Sequence, residues 1–305
     1  MIETPTREIL WNIQHPANVV LMYSLFVFSL LIAGFGLFRR VELWRAGPSY
    51  SDKTDSLTRL VKMIQWGILQ KGVIRERSAA IAHTLVYIGF LTLLFTTTMV
   101  FIDHDLGIKI YHGDFYLIVT LLSDILGLGV LIGCGIAAHR RYILKADMVH
   151  NRLADGLILS LLSILIVQGF ILEGLRIHAT NDPWALYSPV GLLVAKFFWS
   201  LSPSATSSLH FVFWWVHTIT VFSVFAIAPY TKFFHIVASV FNLYWKDWAK
   251  PKGRIRSPGD IASLIEKGEE FQIGLGTIKD YNFKQRLDLD ACTSCGRCQD
   301  ACPAY

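Results

Sequence analysis

Residues 209–236 read LHFVFWWVHTITVFSVFAIAPYTKFFHI, and this stretch decides the fold class. It is long and apolar enough to cross a bilayer. Yet it carries His210, His217 and His235, and a lipid-facing helix does not tolerate imidazoles without partners. Taken as one helix of about 3.6 residues per turn, it puts His217 and His235 on a shared face, about 27 Å apart along the axis. Two imidazoles on one face, one near each water boundary, are what a helix needs to ligate two b-type haems stacked across a membrane. The plainer alternative is a buried histidine hydrogen-bonded to a neighbouring helix. The pair favours haem ligation, because His83 on another apolar run offers a partner.

Of the 305 residues, 53% are hydrophobic and only 17% charged, which excludes disorder and argues against an ordinary soluble domain. A net charge of +5 would suit nucleic acid, but a basic excess confined to one side of the spans is a topology signal, so no nucleic-acid partner is expected. Apolar runs at 17–38, 79–102, 115–138, 153–177 and 209–232 predict an all-α, five-span membrane domain over residues 1–248. The loops holding Arg39 to Arg77, Arg140 to Arg152 and Lys232 to Arg256 are basic, whereas that holding Asp103 to Asp114 is not. This places the N-terminus outside and the C-terminus in the cytoplasm. Leu57, Leu60, Val61, Ile64, Ile68 and Leu69 recur at helical spacing between lysines, predicting an interfacial amphipathic helix. A further short helix on the membrane surface is expected at 189–201, and residues 249–290 are a polar connector with a helix at 260–268.

Four of the five cysteines lie in the last fourteen residues. Cys292, Cys295, Cys298 and Cys302, followed by Pro303, give C-x2-C-x2-C-x3-C-P, in which three thiolates wrap a 4Fe-4S cubane and the fourth ligates the other cluster of a two-cluster ferredoxin. The alternative, structural zinc, does not use this spacing. Residues 291–305 therefore read as the first half of a ferredoxin domain, the second half belonging to a longer protein or to another chain. Cys134, among Gly127, Gly129, Gly133 and Gly135, reads as a small residue at a close helix contact.

His83 and His235 fall at the same, inner end of their spans and form the first haem pair. For His217 the nearest partner by depth is His104, with His112 and His210 as alternatives. Glu173 and Arg176 are an i, i+3 pair that either neutralise each other or line a quinone pocket, where a carboxylate could relay protons.

With its five spans and its eighteen-residue His217/His235 spacing, the chain resembles the gamma subunits of respiratory nitrate reductases. The continuation HIVASVFNLYWKDW and the run YNFKQRLDLDACTSCGRCQDACPAY resemble membrane iron–sulfur oxidoreductases related to heterodisulfide reductase, of the electron-transfer-flavoprotein:menaquinone oxidoreductase type. The resemblance implies a bacterial or archaeal cytoplasmic-membrane oxidoreductase. It would pass electrons between a soluble cytoplasmic flavoprotein or dehydrogenase and menaquinone or ubiquinone, with cysteine-rich domains completing it. It implies that His83 and His235 hold the inner haem and that His217 is a ligand of the outer one. The nitrate reductase pattern has a second histidine ten residues after the first, where this chain has Leu93, so one haem or two remains open. The competing class is a membrane anchor that tethers a soluble partner and binds no cofactor; a transporter would show repeated halves, and none is visible.

Overall fold

The computed structural model describes residues 4–50, 53–73, 77–144, 153–249, 260–268, 275–300 and 302–303. Arg75, Lys145, Arg152, Lys250, Lys252, Arg254 and Arg256, counted above in the charge pattern, lie outside the described residues, as do 251–259 and 269–274 of the connector.

All regular structure among the described residues is helical: α1 (Pro16–Arg45), α2 (Ser56–Met63), α3 (Arg77–His104), α4 (Gly113–Ala138), α5 (Leu153–Thr180), α6 (Pro189–Ala195), α7 (Pro203–Ile227), α8 (His235–Tyr244), α9 (Ile261–Glu266), α10 (Phe283–Ala291) and α11 (Arg297–Asp300), with short 3-10 and π turns. Five helices, α1, α3, α4, α5 and α7, are long and apolar enough to cross a membrane. They match the five apolar runs and extend beyond them at most ends, so the chain is a multi-pass membrane protein. It divides into two compact units, one of Met1–Leu31, Val73–Ala226 and Gly296–Tyr305, the other of Ile32–Gly72 and Ile227–Cys295.

In the first unit α4 is central: half of its apolar window is buried, against 6% in α3, α5 and α7. Without a hydrophobic drive between helices in lipid, close backbone approach holds such helices together, and small residues permit it. A Cβ at Gly89 of α3 would lie 2.6 Å from the Leu126 carbonyl oxygen, and one at Gly133 of α4 would lie 2.8 Å from that of Ala82. Gly127 faces the Phe170 ring of α5, and Cys134 is buried in the same helix, as a packing residue should be. Gly89→Val should therefore lower thermal stability in detergent by about 1–3 kcal/mol, the usual range for overpacking. Gly135→Ala, whose Cβ meets nothing within 4 Å, should not; equal melting midpoints for the two would refute this account of the α3–α4 contact.

The helix expected at 189–201 is shorter, α6 being followed by a 3-10 turn at Lys196–Phe198. Pro189 opens α6, and the backbone N–H groups of Val190 and Gly191 donate to the Asp124 carboxylate at 2.7 and 3.0 Å. Asp124 lies eleven residues into α4, about 16 Å along it, and α6 packs against α4 and α5. The contact is tight, because a Cβ at Gly174 of α5 would stand 2.9 Å from the Ala195 nitrogen. A buried carboxylate needs donors, and α6 supplies them.

One expectation fails on local geometry. The fifth span is not one helix through His235: α7 ends at Ile227, 3-10 turns follow at Ala228–Tyr230 and Lys232–Phe234, and α8 begins at His235. Pro229 explains the break, since it lacks an N–H and its ring clashes with the carbonyl four residues back. Thr231 between the turns is fully extended, φ −125° and ψ 177°. His217 and His235 therefore stand on different helices, and the shared-face argument from helical periodicity does not hold.

The second unit gathers the end of α1 with α2, α8 and α10. Trp44, Phe234, Ala238 and Leu287 form its buried centre, so α10, in the segment read as a connector, shares a core with α1 and α8. Asp290 of α10 accepts from the Trp44 indole at 2.6 Å and pairs with Arg40, while Asn242 of α8 donates to Asp288 at 2.7 Å and accepts from Lys284 at 3.1 Å. Asp55 caps α2 by accepting from the Thr58 N–H at 2.8 Å, a bond that holds its carboxyl below the usual range. Leu57, Leu60, Val61, Ile64 and Ile68 of α2 and the π turn after it are exposed, the apolar stripe an interfacial helix presents to lipid. The helix expected at 260–268 is α9, capped by Asp260 and ended by Gly268 at φ +64°.

Candidate functional site

The histidines separate by environment. His217, midway along α7, has a buried Nδ1 with no hydrogen-bond partner among the described residues. His83, one to two turns into α3, is half-buried and stacks on Tyr87, ring centroids 6.2 Å apart at 21°. His235 is half-buried at the start of α8, and its Nδ1 lies 2.5 Å from the Lys232 carbonyl oxygen. A ring nitrogen facing a carbonyl is protonated, which leaves Nε2 with the free lone pair; metal-bound histidines are held in this way.

His104 ends α3 with an exposed side chain, its Nδ1 3.5 Å from an Asp105 carboxylate oxygen that also accepts from the Tyr23 hydroxyl. His112 is exposed and faces the Lys109 carbonyl at 3.1 Å. His210 is buried, packed on the Trp11 ring at 4.9 Å, with its Nδ1 3.3 Å from the Asn12 amide. It sits on the same helix as His217 and about two turns away.

Glu173 and Arg176 lie in a buried ion cluster. Arg176 donates to both Glu173 oxygens at 2.9 and 3.1 Å and to Asp182 at 2.7 Å; Ser188 donates to Glu173 at 2.9 Å, and Arg7 stands 3.6 Å from it. Two cations therefore meet two carboxylates, with the Tyr116 hydroxyl buried and unpartnered among the described residues. Only the i, i+3 pair was visible in sequence. Arg7, Asp182 and Ser188 arrive through tertiary contacts that no local spacing announces.

Cys292 is the C-cap of α10, and all four motif cysteines are free and exposed. The Ser294 N–H donates to Cys292 Sγ at 3.4 Å, and Ser294 and Gly296 have φ of +58° and +79°. These left-handed turns bend the chain tightly between ligands, and N–H donors to sulfur are among the levers that tune iron–sulfur centres. The donor set fits a 4Fe-4S cluster, although among the described residues no three potential ligands converge as they would on a single ion.

Comparison with known proteins agrees with this layout. Residues 61–251 match the family described as nitrate reductase gamma subunit. The chain belongs to that family. The match takes in His83, His104, His217, His235, Glu173 and Arg176, and residues 283–304, with all four motif cysteines, match a 4Fe-4S binding domain. Within the gamma family this chain thus carries an iron–sulfur segment fused behind the membrane helices. EtfAB:quinone oxidoreductase of Syntrophomonas wolfei subsp. wolfei is 30% identical over 296 residues, covering 93% of this chain and 40% of that protein. The probable iron-sulfur-binding oxidoreductase FadF of Bacillus subtilis is 26% identical over 240 residues, covering 77% and 33%. The chain therefore spans less than half the length of either relative. No solved structure matches.

Proposed function

We propose that this chain carries electrons between a soluble cytoplasmic donor, such as an electron-transfer flavoprotein, and the quinone pool. It would do so as part of an oxidoreductase in a bacterial or archaeal cytoplasmic membrane, with its N-terminus outside and its C-terminus in the cytoplasm. Residues 1–248 act as the membrane domain, 249–290 join it to the iron–sulfur segment, and 291–305 open a ferredoxin domain. Cys292, Cys295 and Cys298 would hold a 4Fe-4S cluster, with Cys302 serving a second one. His83 and His235 would hold the inner b haem, and His217 with His104 the outer.

When bound, these groups supply one-electron carriers; the chain's residues fix their places and environments. The Lys232 carbonyl and the Asp105 carboxylate each stand at a histidine Nδ1, orienting the ring and leaving Nε2 for iron. His217, half-buried on an apolar helix with no partner for its Nδ1 among the described residues, would offer iron its other nitrogen, Nε2, and iron would give that intramembrane imidazole a partner. In this reading Glu173 and Arg176 wall a quinone site as a fixed ion cluster. Glu173 already accepts from two donors, Arg176 and Ser188, and faces a second cation, Arg7, so it holds the wall rather than relaying protons.

The observation that carries the proposal is that His235 opens α8 and Cys292 closes α10, two helices packed together in one compact unit. Similarity to a quinone oxidoreductase supports the substrate. The test is to reduce the native membrane protein with a quinol analogue and follow b-type haem absorbance together with the cluster's electron paramagnetic resonance. Both signals should respond. A protein with neither haem b nor iron–sulfur would be a membrane anchor instead.

A further inference from the structure

The helix break at Pro229 turns Lys232 to a place that the ligand assignments leave unexplained. Its ammonium donates to the Thr293 carbonyl at 3.1 Å, and its own carbonyl lies 2.5 Å from His235 Nδ1. Thr293 directly follows Cys292 and precedes Ser294, whose N–H donates to Cys292 Sγ. One residue therefore touches the proposed haem ligand through its backbone and the proposed cluster loop through its side chain. The loop cannot drift, because α10 is pinned at Asp290 to Trp44 and Arg40 and at Lys284 and Asp288 to Asn242. Lys232 stands 61 residues from Thr293 in sequence, so nothing local requires the contact.

We infer that Lys232 is a positioning residue for electron transfer, setting the Cys292–Cys295 loop against the His235 ring and placing a positive charge beside the cluster thiolates. The inference rests on the haem and cluster assignments proposed above. When bound, the cluster and the inner haem would supply the one-electron donor and acceptor for the step Lys232 serves, in which no bond is made and no proton moved. A cation next to an anionic cluster favours the cluster's reduced form, because it adds attraction that grows with negative charge. The bond to the Thr293 carbonyl, made by a charged donor, also outweighs an ordinary neutral one. A bland role exists, since lysines near a membrane boundary extend their stems toward water. That role needs no carbonyl partner between two cluster ligands and gives the charge no influence on the cluster's potential.

The two roles separate in the native membrane protein carrying Lys232→Met, Lys232→Gln or Lys232→Arg. Haem b content should stay at the wild-type level in all three, because the contact with His235 is made by the main chain. In the Met and Gln variants the cluster's midpoint potential, read by redox titration of its electron paramagnetic resonance, should fall. Cluster-to-haem electron transfer, read by stopped flow, should slow about tenfold even though a lower cluster potential adds driving force, because the loop loses its charge-assisted anchor to Lys232 and with it the fixed approach to His235. Lys232→Arg should restore both. Wild-type potential and rate in the Met and Gln variants would overturn the role of Lys232. The underlying assignment fails separately, by a His235→Ala protein that keeps every haem signal of the wild type.

Discussion

His217→Ala should abolish one b-type haem signal in the purified protein and leave the other, and His235→Ala should do the converse. The reason lies in the alternative each imidazole faces. Among the described residues the Nδ1 of His217 has no hydrogen-bond partner, and an imidazole within a membrane span is costly unless one of its nitrogens is engaged. A helix retains such a group when a ligand compensates for it. Because α7 and α8 are separate helices, the two losses should also be independent: neither variant should shift the midpoint of the remaining haem strongly. If His217 is instead a structural histidine, alanine there should leave both haem signals intact and change only the melting temperature. Pyridine haemochrome quantification alongside a redox titration separates these outcomes.

Arg176→Met should be the most destabilising single change within the membrane helices, by about 3–5 kcal/mol, the range for breaking a buried ion pair from one side. Arg176 is 8% exposed and joins Glu173 to Asp182; without it those carboxylates stay buried with Arg7 standing 3.6 Å from Glu173. Asp182 would keep the Trp184 N–H at 2.8 Å but no cation within the cluster. Glu173→Gln tests the other role considered for the pair. As a structural member of the cluster, Glu173 can lose its charge with a drop in stability and an unchanged pH profile of quinone turnover. As a proton relay it would show the reverse: near-normal melting and an altered pH profile.

The membrane helices were legible because hydropathy is a property of composition over twenty or so residues and needs no tertiary knowledge. The cysteine motif was legible for a similar reason, its ligands lying within eleven residues. The break before His235 was in principle visible at Pro229, but the apolar run continues past it into Phe233 and Phe234, and hydropathy alone does not register a missing N–H. The contact between α6 and Asp124 also had a signal, an aspartate at position 124 amid an apolar span, which demands donors. Those donors are 66 and 67 residues away, so the sequence stated the need without naming the answer. Arg7 at Glu173 and Lys232 at Thr293 are of the same kind, contacts that exist only once distant segments meet.

The most direct test is a reduced-minus-oxidised spectrum of the native membrane protein, taken after reduction by a quinol analogue and again after reduction through its iron–sulfur segment. The account predicts b-type haem bands from both routes, with the His217→Ala and His235→Ala proteins each losing part of them. A protein from haem-replete cells that shows no b-type absorbance by either route would contradict it.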